Sequence, residues 1–366
     1  MKKKLYLLCI LGGLSLLLFS GCSFKEKQAV KKTLKAQFNQ LKEYDITAIH
    51  DHIHTQELLP GHLQDETLSQ NVADIISLFY QDFSYRVKQI SVKEDSAVAT
   101  VKVKTMDAKT LAKDFSKAAL TRRIHHHASG SQENFKLHDS YLILKELMQS
   151  NEYKTVSKTV DIPLSKKDGE WQLIHTPELD SALTGNFLEY TSNPNLLSPK
   201  EIVQVHFDAM KEFTLEHWKS YLQLSHLADT SSEYNILITD AVIEQISRFF
   251  DYKVLKQKTE QNSASVQVRV TSIDFQSILS SYQKKVSKWL KTSEALSVGA
   301  SGRREKEKEL FLSCIQKNEK TSSHEISIPL TNDGFSWKIQ MDSEISDAIF
   351  GDISSLINEA ADTQNR

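Results

Sequence analysis

The chain has 366 residues, 40% of them apolar and 25% charged, which suits a folded, water-soluble body and excludes wholesale disorder. Lys and Arg number 45 against 47 Asp and Glu, a net charge of -2, which argues against bulk electrostatic binding of nucleic acid and leaves room only for a local patch, so no nucleic-acid partner is expected. Three cysteines exclude a disulfide-rich scaffold and a four-cysteine zinc site, and eleven glycines leave little material for phosphate-cradling loops.

The first element is a leader. Lys2, Lys3 and Lys4 precede an apolar run, Leu5 to Phe19, broken only by Gly12, Gly13 and Ser15. A charged start and a short apolar core make a secretory signal, and the run is short for a membrane span, which takes about 20 apolar residues. It closes on Phe19-Ser20-Gly21-Cys22-Ser23. This resembles the lipobox of bacterial lipoproteins, in which small residues precede a cysteine. The resemblance implies cleavage after Gly21 and a diacylglycerol on the Cys22 thiol. The body would then sit on the extracytoplasmic face of the cell membrane, held through lipid on Cys22. An ordinary signal peptide with an incidental cysteine, or an uncleaved anchor, is the alternative. Loss of residues 1–21 leaves 42 basic against 47 acidic residues, or -5. With Cys9 gone and Cys22 acylated, Cys314 has no disulfide partner and reads as a small buried hydrophobe.

After a tether over residues 22–27, Val30, Leu34, Phe38, Leu41 and Tyr44 recur at helical spacing, and Val72, Ile75, Ile76 and Phe79 predict a second helix. Two strands follow, Tyr85 to Val92 and Ala97 to Thr105, with Ala97, Ala99, Val101 and Val103 on one face. A long helix is expected from about Asp107 to His127, with Leu111, Phe115, Ala119 and Ile124 inward. A Ser/Gly loop, a helix near Ser140 to Asn151, two closing strands around Asp168-Gly169 and a short helix complete the set.

The same series then repeats. Phe83-Ser-Tyr85-Arg-Val87 is echoed by Phe250-Asp-Tyr252-Lys-Val254, an offset of 167. Asp107 matches Asp274, Ile162-Pro163-Leu164 matches Ile328-Pro329-Leu330, Trp171 matches Trp337, and Gly185 matches Gly351. The offset stays between 165 and 169 in unbroken order, so two tandem copies are expected, over 28–190 and 198–356. A linker covers 191–197 and a tail 357–366. Ser198-Pro199-Lys200-Glu201 supplies an N-cap, a helix-starting proline and a capping-box glutamate for the second copy. In that copy the long helix carries Phe275, Ile278, Leu279, Tyr282, Val286, Trp289 and Leu290, the loop is Gly299 to Gly302, and the next helix runs near Glu307 to Gln316.

The expected fold class is α+β, two tandem copies of a domain made of helices and a curved antiparallel sheet, each with an inserted long helix pair. The pattern Tyr-x-Val, Asp-Ser-Ala-x-Ala-x-Val-x-Val, then Pro-Leu and Asp-Gly-x-Trp-x-Leu resembles the nuclear-transport-factor-2-like (cystatin-like) domains of Gram-positive lipoproteins of unknown function. Those motifs are turns and core positions, so they speak to fold and not to chemistry.

Three groups of residues are candidates for function. His50, His52 and His54 would share one face of an extended segment and could grip a transition metal; exposed turn histidines are the alternative, and Lys219-Ser220-Tyr221 in copy two carries no histidine. His125-His126-His127 end the long helix of copy one, where cationic side chains suit the helix dipole. Lys284, Lys285, Lys288, Lys291, Arg303 and Arg304 make the second copy's long helices basic outside the apolar stripe, and Lys109, Lys113, Lys117, Arg122 and Arg123 do so in the first. Such a face suits anionic lipids or teichoic-type polymers, with a solvated helix surface as the alternative. No nucleophile elbow, phosphate loop, dinucleotide fingerprint or HExxH pair is present, and no cofactor is expected. The function expected is non-enzymatic binding or docking to an envelope protein or anionic polymer. The alternatives are a small-ligand or metal-binding lipoprotein and, behind it, a hydrolase with a dispersed site.

Overall fold

The computed structural model describes residues 24–41, 43, 70–131, 137–221 and 233–351. Gly21 and Cys22, the histidines at 50, 52 and 54, and the tail from 357 lie outside the described residues. These divide into two units, one drawn from Met1–Ser116 and Lys136–Ser192, the other from Lys117–Phe135 and Asn193–Arg366.

The first unit opens with α1 (24–41) and α2 (Gln70–Tyr80). The helix α1 already includes residues 24–27, placed ahead of the domain by the sequence reading. Val30, Leu34, Phe38 and Leu41 form its buried stripe at helical spacing. Strands β1 (Ser84–Lys93), β2 (Ser96–Met106), β3 (Thr155–Lys167) and β4 (Glu170–Leu173) follow, all antiparallel in the order β1-β2-β3-β4. Between β2 and β3 the chain forms α3 (Ala108–Ala128) and α4 (Leu137–Ser150), and it closes with α5 (Pro177–Thr184) and α6 (Phe187–Thr191). The period-2 pattern of β2 sets its register: Ala97, Ala99, Val101 and Val103 are buried while Ser96, Val98, Lys102 and Lys104 face out.

The second unit repeats this order with α7 (Pro199–Lys211), α8 (Leu215–Tyr221), α9 (Glu233–Phe249), β5 (Asp251–Glu260), β6 (Ser263–Ile273), α10 (Phe275–Trp289), α11 (Ser293–Ser297), α12 (Ala300–Gln316), β7 (Thr321–Asn332), β8 (Trp337–Ile339) and α13 (Ser343–Phe350). Its sheet runs β5-β6-β7-β8, again antiparallel. The repetition reaches defects: the β1–β2 register skips between Val87 and Gln89, and the β5–β6 register between Val254 and Lys256. The protein is therefore α+β, two helix-plus-sheet copies, with helices inserted between the second and third strands, two in the first copy (α3, α4) and three in the second (α10, α11, α12).

Matched residues do matched work. Asp107 caps α3, accepting from the Thr110 amide at 3.2 Å, and Asp274 caps α10, accepting from the Ser277 amide at 2.9 Å. The Trp171 indole donates to Glu26 at 2.8 Å, and the Trp337 indole to Asn195 at 3.1 Å, so each closing hairpin is tied to the segment that opens its copy. Ser198 and Glu201 form the capping box that starts α7.

Two expectations need correction. The helix α10 ends at Trp289, and Leu290 is 44% exposed at its C-cap instead of facing inward. Ala300 to Gly302 are the first turn of α12, not a loop. Gly299, at φ +23, makes the break, and Gly302 lets the helix close on Val298, whose Cβ would lie 2.8 Å from an added methyl. The C-terminal part of α3, from Lys117, belongs to the second unit, where Ile124 and Ala128 are core residues.

Candidate functional site

The cationic residues singled out in the second copy lie on one structure, the hairpin α10–α11–α12. Its inner side is built from Phe275, Ile278 and Trp289, all buried. The outer side carries Lys284, Lys285, Lys288 and Lys291, all exposed. Lys284 and Lys288 stand at i and i+4 on one stripe of α10, and Lys291 follows in the turn just past its C-cap. With Ser280, Gln283 and Ser287 they line a shallow, open recess of about 510 Å³. Every one of these side chains offers a hydrogen-bond donor, which is the chemistry an oxyanion requires.

The tip of the hairpin is held by specific contacts. Thr292 caps α11, the Trp289 indole donates to Glu294 at 3.2 Å, and Ala295 is 1% exposed beneath the turn. Arg303 Nε donates to the Ala295 carbonyl at 2.9 Å, which gives it a structural task. Lys306 pairs with Glu309 at 2.8 Å and Lys308 with Glu305 at 3.1 Å. Among the described residues, Lys284, Lys285, Lys288, Lys291 and Arg304 have no ion-pair partner. Leu296, on the one-turn helix at the tip, is 77% exposed.

The first copy's cations are arranged differently. Lys117 lies 3.4 Å from Glu201 and Arg123 donates to the Ala119 carbonyl. Lys109 sits 6.0 Å from the Tyr190 ring centroid. These side chains have partners, that of Lys117 on α7 and that of Lys109 on α6, in contrast to the lysines of α10.

A second cluster was not anticipated from sequence. His125 lies against Phe213 and His217, with ring centroids 5.6 Å apart in each case, and its Nε2 is 3.4 Å from Glu212. Nearby, His206 Nε2 and the Tyr221 hydroxyl share a hydrogen bond of 2.8 Å, the donor depending on the tautomer. Burial, and secondarily His127, push His206 down to about 4, and burial raises Tyr221 to about 12, so both are neutral near pH 7. His206 has no histidine counterpart in copy one, whereas His217 stands 167 positions after His50, the offset of the repeat. Among the described residues no group of three or more His, Cys, Asp or Glu side chains could hold a metal ion. No described helix is long and apolar enough to cross a membrane.

The first unit has an apolar recess between α2, α3, α4 and α6, lined by residues such as Ile76, Leu111, Met148 and Phe187. Its free volume is about 10 Å³, less than one water needs and far below a ligand site.

Comparison with known proteins adds little. No protein-family model matches the chain, and no curated protein matches it. One solved structure found in the search is that of ycdA, a suspected lipoprotein of Bacillus subtilis, 13% identical, with 73% of this chain and 96% of that chain covered and a TM-score of 0.27. A superposition that weak carries no argument about fold or function.

Proposed function

We propose that the chain is a lipoprotein anchored on the extracytoplasmic face of the cell membrane, of Gram-positive type, whose folded body binds or docks to an envelope component without catalysing a reaction. The observation that carries this reading is the N-terminal series: three lysines, a short apolar core, and Ser20-Gly21-Cys22. Two acyl chains on Cys22 would bury enough methylene groups, at about 0.8 kcal/mol each, for stable anchoring. Further support for docking comes from the α10 lysines, exposed together and without acidic partners among the described residues. The repeats read as nuclear-transport-factor-2-like, supported by the order helix, β-hairpin, inserted helices and Trp-bearing final hairpin.

The anchor is tested by the intact mass of the chain extracted from membranes. A chain starting at Cys22 and heavier by a diacylglycerol is expected, and Cys22→Ala should accumulate as uncut precursor. A start elsewhere, or an unmodified Cys22, overturns the reading. Docking is tested by in-cell crosslinking, where capture of an envelope component should fall when the α10 lysines are neutralised. Turnover of a substrate abolished by one point mutation would overturn the non-enzymatic part.

A further inference from the structure

Within the acceptor classes open to the α10 face, three observations favour the bilayer itself. The first is apolar. Leu290 and Leu296 are 44% and 77% exposed, and they flank the turn that carries Lys291, just past Lys288 in the last turn of α10. Aliphatic side chains held out beside lysines at a helix tip fit a headgroup boundary, where the ammonium stays among phosphates and the leucine enters the acyl region. A soluble polyanion offers the leucines nothing.

The second is donor geometry. Lys284, Lys288 and Lys291 converge with Ser280, Gln283 and Ser287 around one recess, and residues 275–293 contain no Asp or Glu. The third is charge separation. After residue 190 the chain has 20 Lys and Arg and 24 Asp and Glu; eight and four of these lie in 275–316, leaving 12 against 20 elsewhere. The hairpin is thus a positive region on a negative body, and a negatively charged surface attracts the hairpin while repelling the rest.

We propose that the α10–α11 tip rests on the anionic phospholipid surface of the membrane that carries the anchor, with Leu290 and Leu296 in the interface and Lys284, Lys288 and Lys291 on lipid phosphates. This rests on the reading of Cys22 as the acylated anchor, and it makes the bilayer the anionic partner of the lysine stripe.

The test uses the mature chain purified from membranes and reconstituted in vesicles of phosphatidylcholine, with or without phosphatidylglycerol. Leu296→Cys is labelled with an environment-sensitive dye, and Phe335→Cys, on the exposed β7–β8 turn, is the control position. On phosphatidylglycerol vesicles the dye at 296 should shift to the blue and be quenched by lipids brominated near the headgroup, while the dye at 335 stays in water. Each lysine near the surface is worth about fivefold in partition, so K284Q/K288Q/K291Q should reduce seating on the order of a hundredfold. Quenching at 296 that never exceeds that at 335, or that ignores the lysine variant, overturns the proposal. The intact mass of the same preparation reports acylation of Cys22 separately. An acylated chain with its tip in water sinks the tip alone, whereas an unmodified Cys22 sinks the anchor.

Discussion

Gly185 and Gly351 stand at the same place in the two copies, each ending a short helix in the left-handed region at φ +65 and +67. A Cβ at 185 would meet the Ala108 methyl at 2.7 Å, and one at 351 would meet the Ile273 carbonyl oxygen at 2.0 Å. Both substitutions carry the left-handed penalty of about 1–2 kcal/mol. Both must also move main chain, because the Ala108 Cβ is fixed to the first turn of α3 and the Ile273 oxygen is itself backbone, with the closer approach at 351. Gly185→Ala is therefore expected to lower stability by more than about 2 kcal/mol and Gly351→Ala by more than about 3 kcal/mol, read from urea midpoints of each unit's transition. A second residue-scale prediction concerns acid. His206, part-buried and facing Tyr221, Phe207 and His127, has a folded pKa of about 4, below the unfolded value near 6.5. The unfolded chain then binds the extra proton, so stability from this group is complete above pH 6.5 and is lost as pH falls towards 4. The slope is at most about 1.4 kcal/mol per pH unit, less because the ring keeps some solvent contact. His206→Gln should flatten the decline in urea midpoint between pH 6.5 and 4.5; an unchanged slope would remove His206 from the account.

At the scale of elements, what could be read from sequence was what has a local cause. The alternation in β2 and the capping box of α7 each depend on neighbours within a few residues, and each appears in the fold. The tip of the inserted hairpin in copy two did not follow, because Gly299-Ala300-Ser301-Gly302 has loop composition, whereas in the fold the break is confined to Gly299, and Gly302, inside α12, packs against Val298. The histidine cluster was illegible for a different reason: His125 and His217 are 92 positions apart, and no periodicity links them. The same holds for α3, whose apolar stripe reads as continuous although its residues serve two cores. Leu111, 1% exposed, belongs to the first unit, and Ile124, 8% exposed, to the second. Truncation to alanine at such positions costs about 2–5 kcal/mol. Leu111→Ala should therefore lower hydrogen-exchange protection at Val101 and Val103 in β2, and Ile124→Ala at Val266 and Val268 in β6. Loss of protection in the opposite sheets would refute this assignment.

For the whole molecule, duplication means that one architecture is present twice with two different surfaces. The mature chain would carry -5 overall, so its net charge opposes approach to an anionic membrane, and any attraction must be local and orienting. The two sets of inserted helices are then not equivalent. In copy two the lysines of α10 project without acidic partners among the described residues. In copy one Lys117 is 3.4 Å from Glu201, and Lys109 lies by the Tyr190 ring. If the signal were merely the total of positive charge, removing three lysines from either set would have the same effect, since each moves the net charge by the same amount. If it is the unpaired stripe, K109Q/K113Q/K117Q should leave the quenching of a dye at position 296 on phosphatidylglycerol vesicles unchanged, and K284Q/K288Q/K291Q should abolish it. Raising the salt from 0.1 M to 1 M, which shortens the screening length from about 10 Å to about 3 Å, should copy the effect of the α10 variant on the wild-type chain. Equal losses from the two triple variants would show that the copies share the role and that the pairing in copy one has no bearing on it.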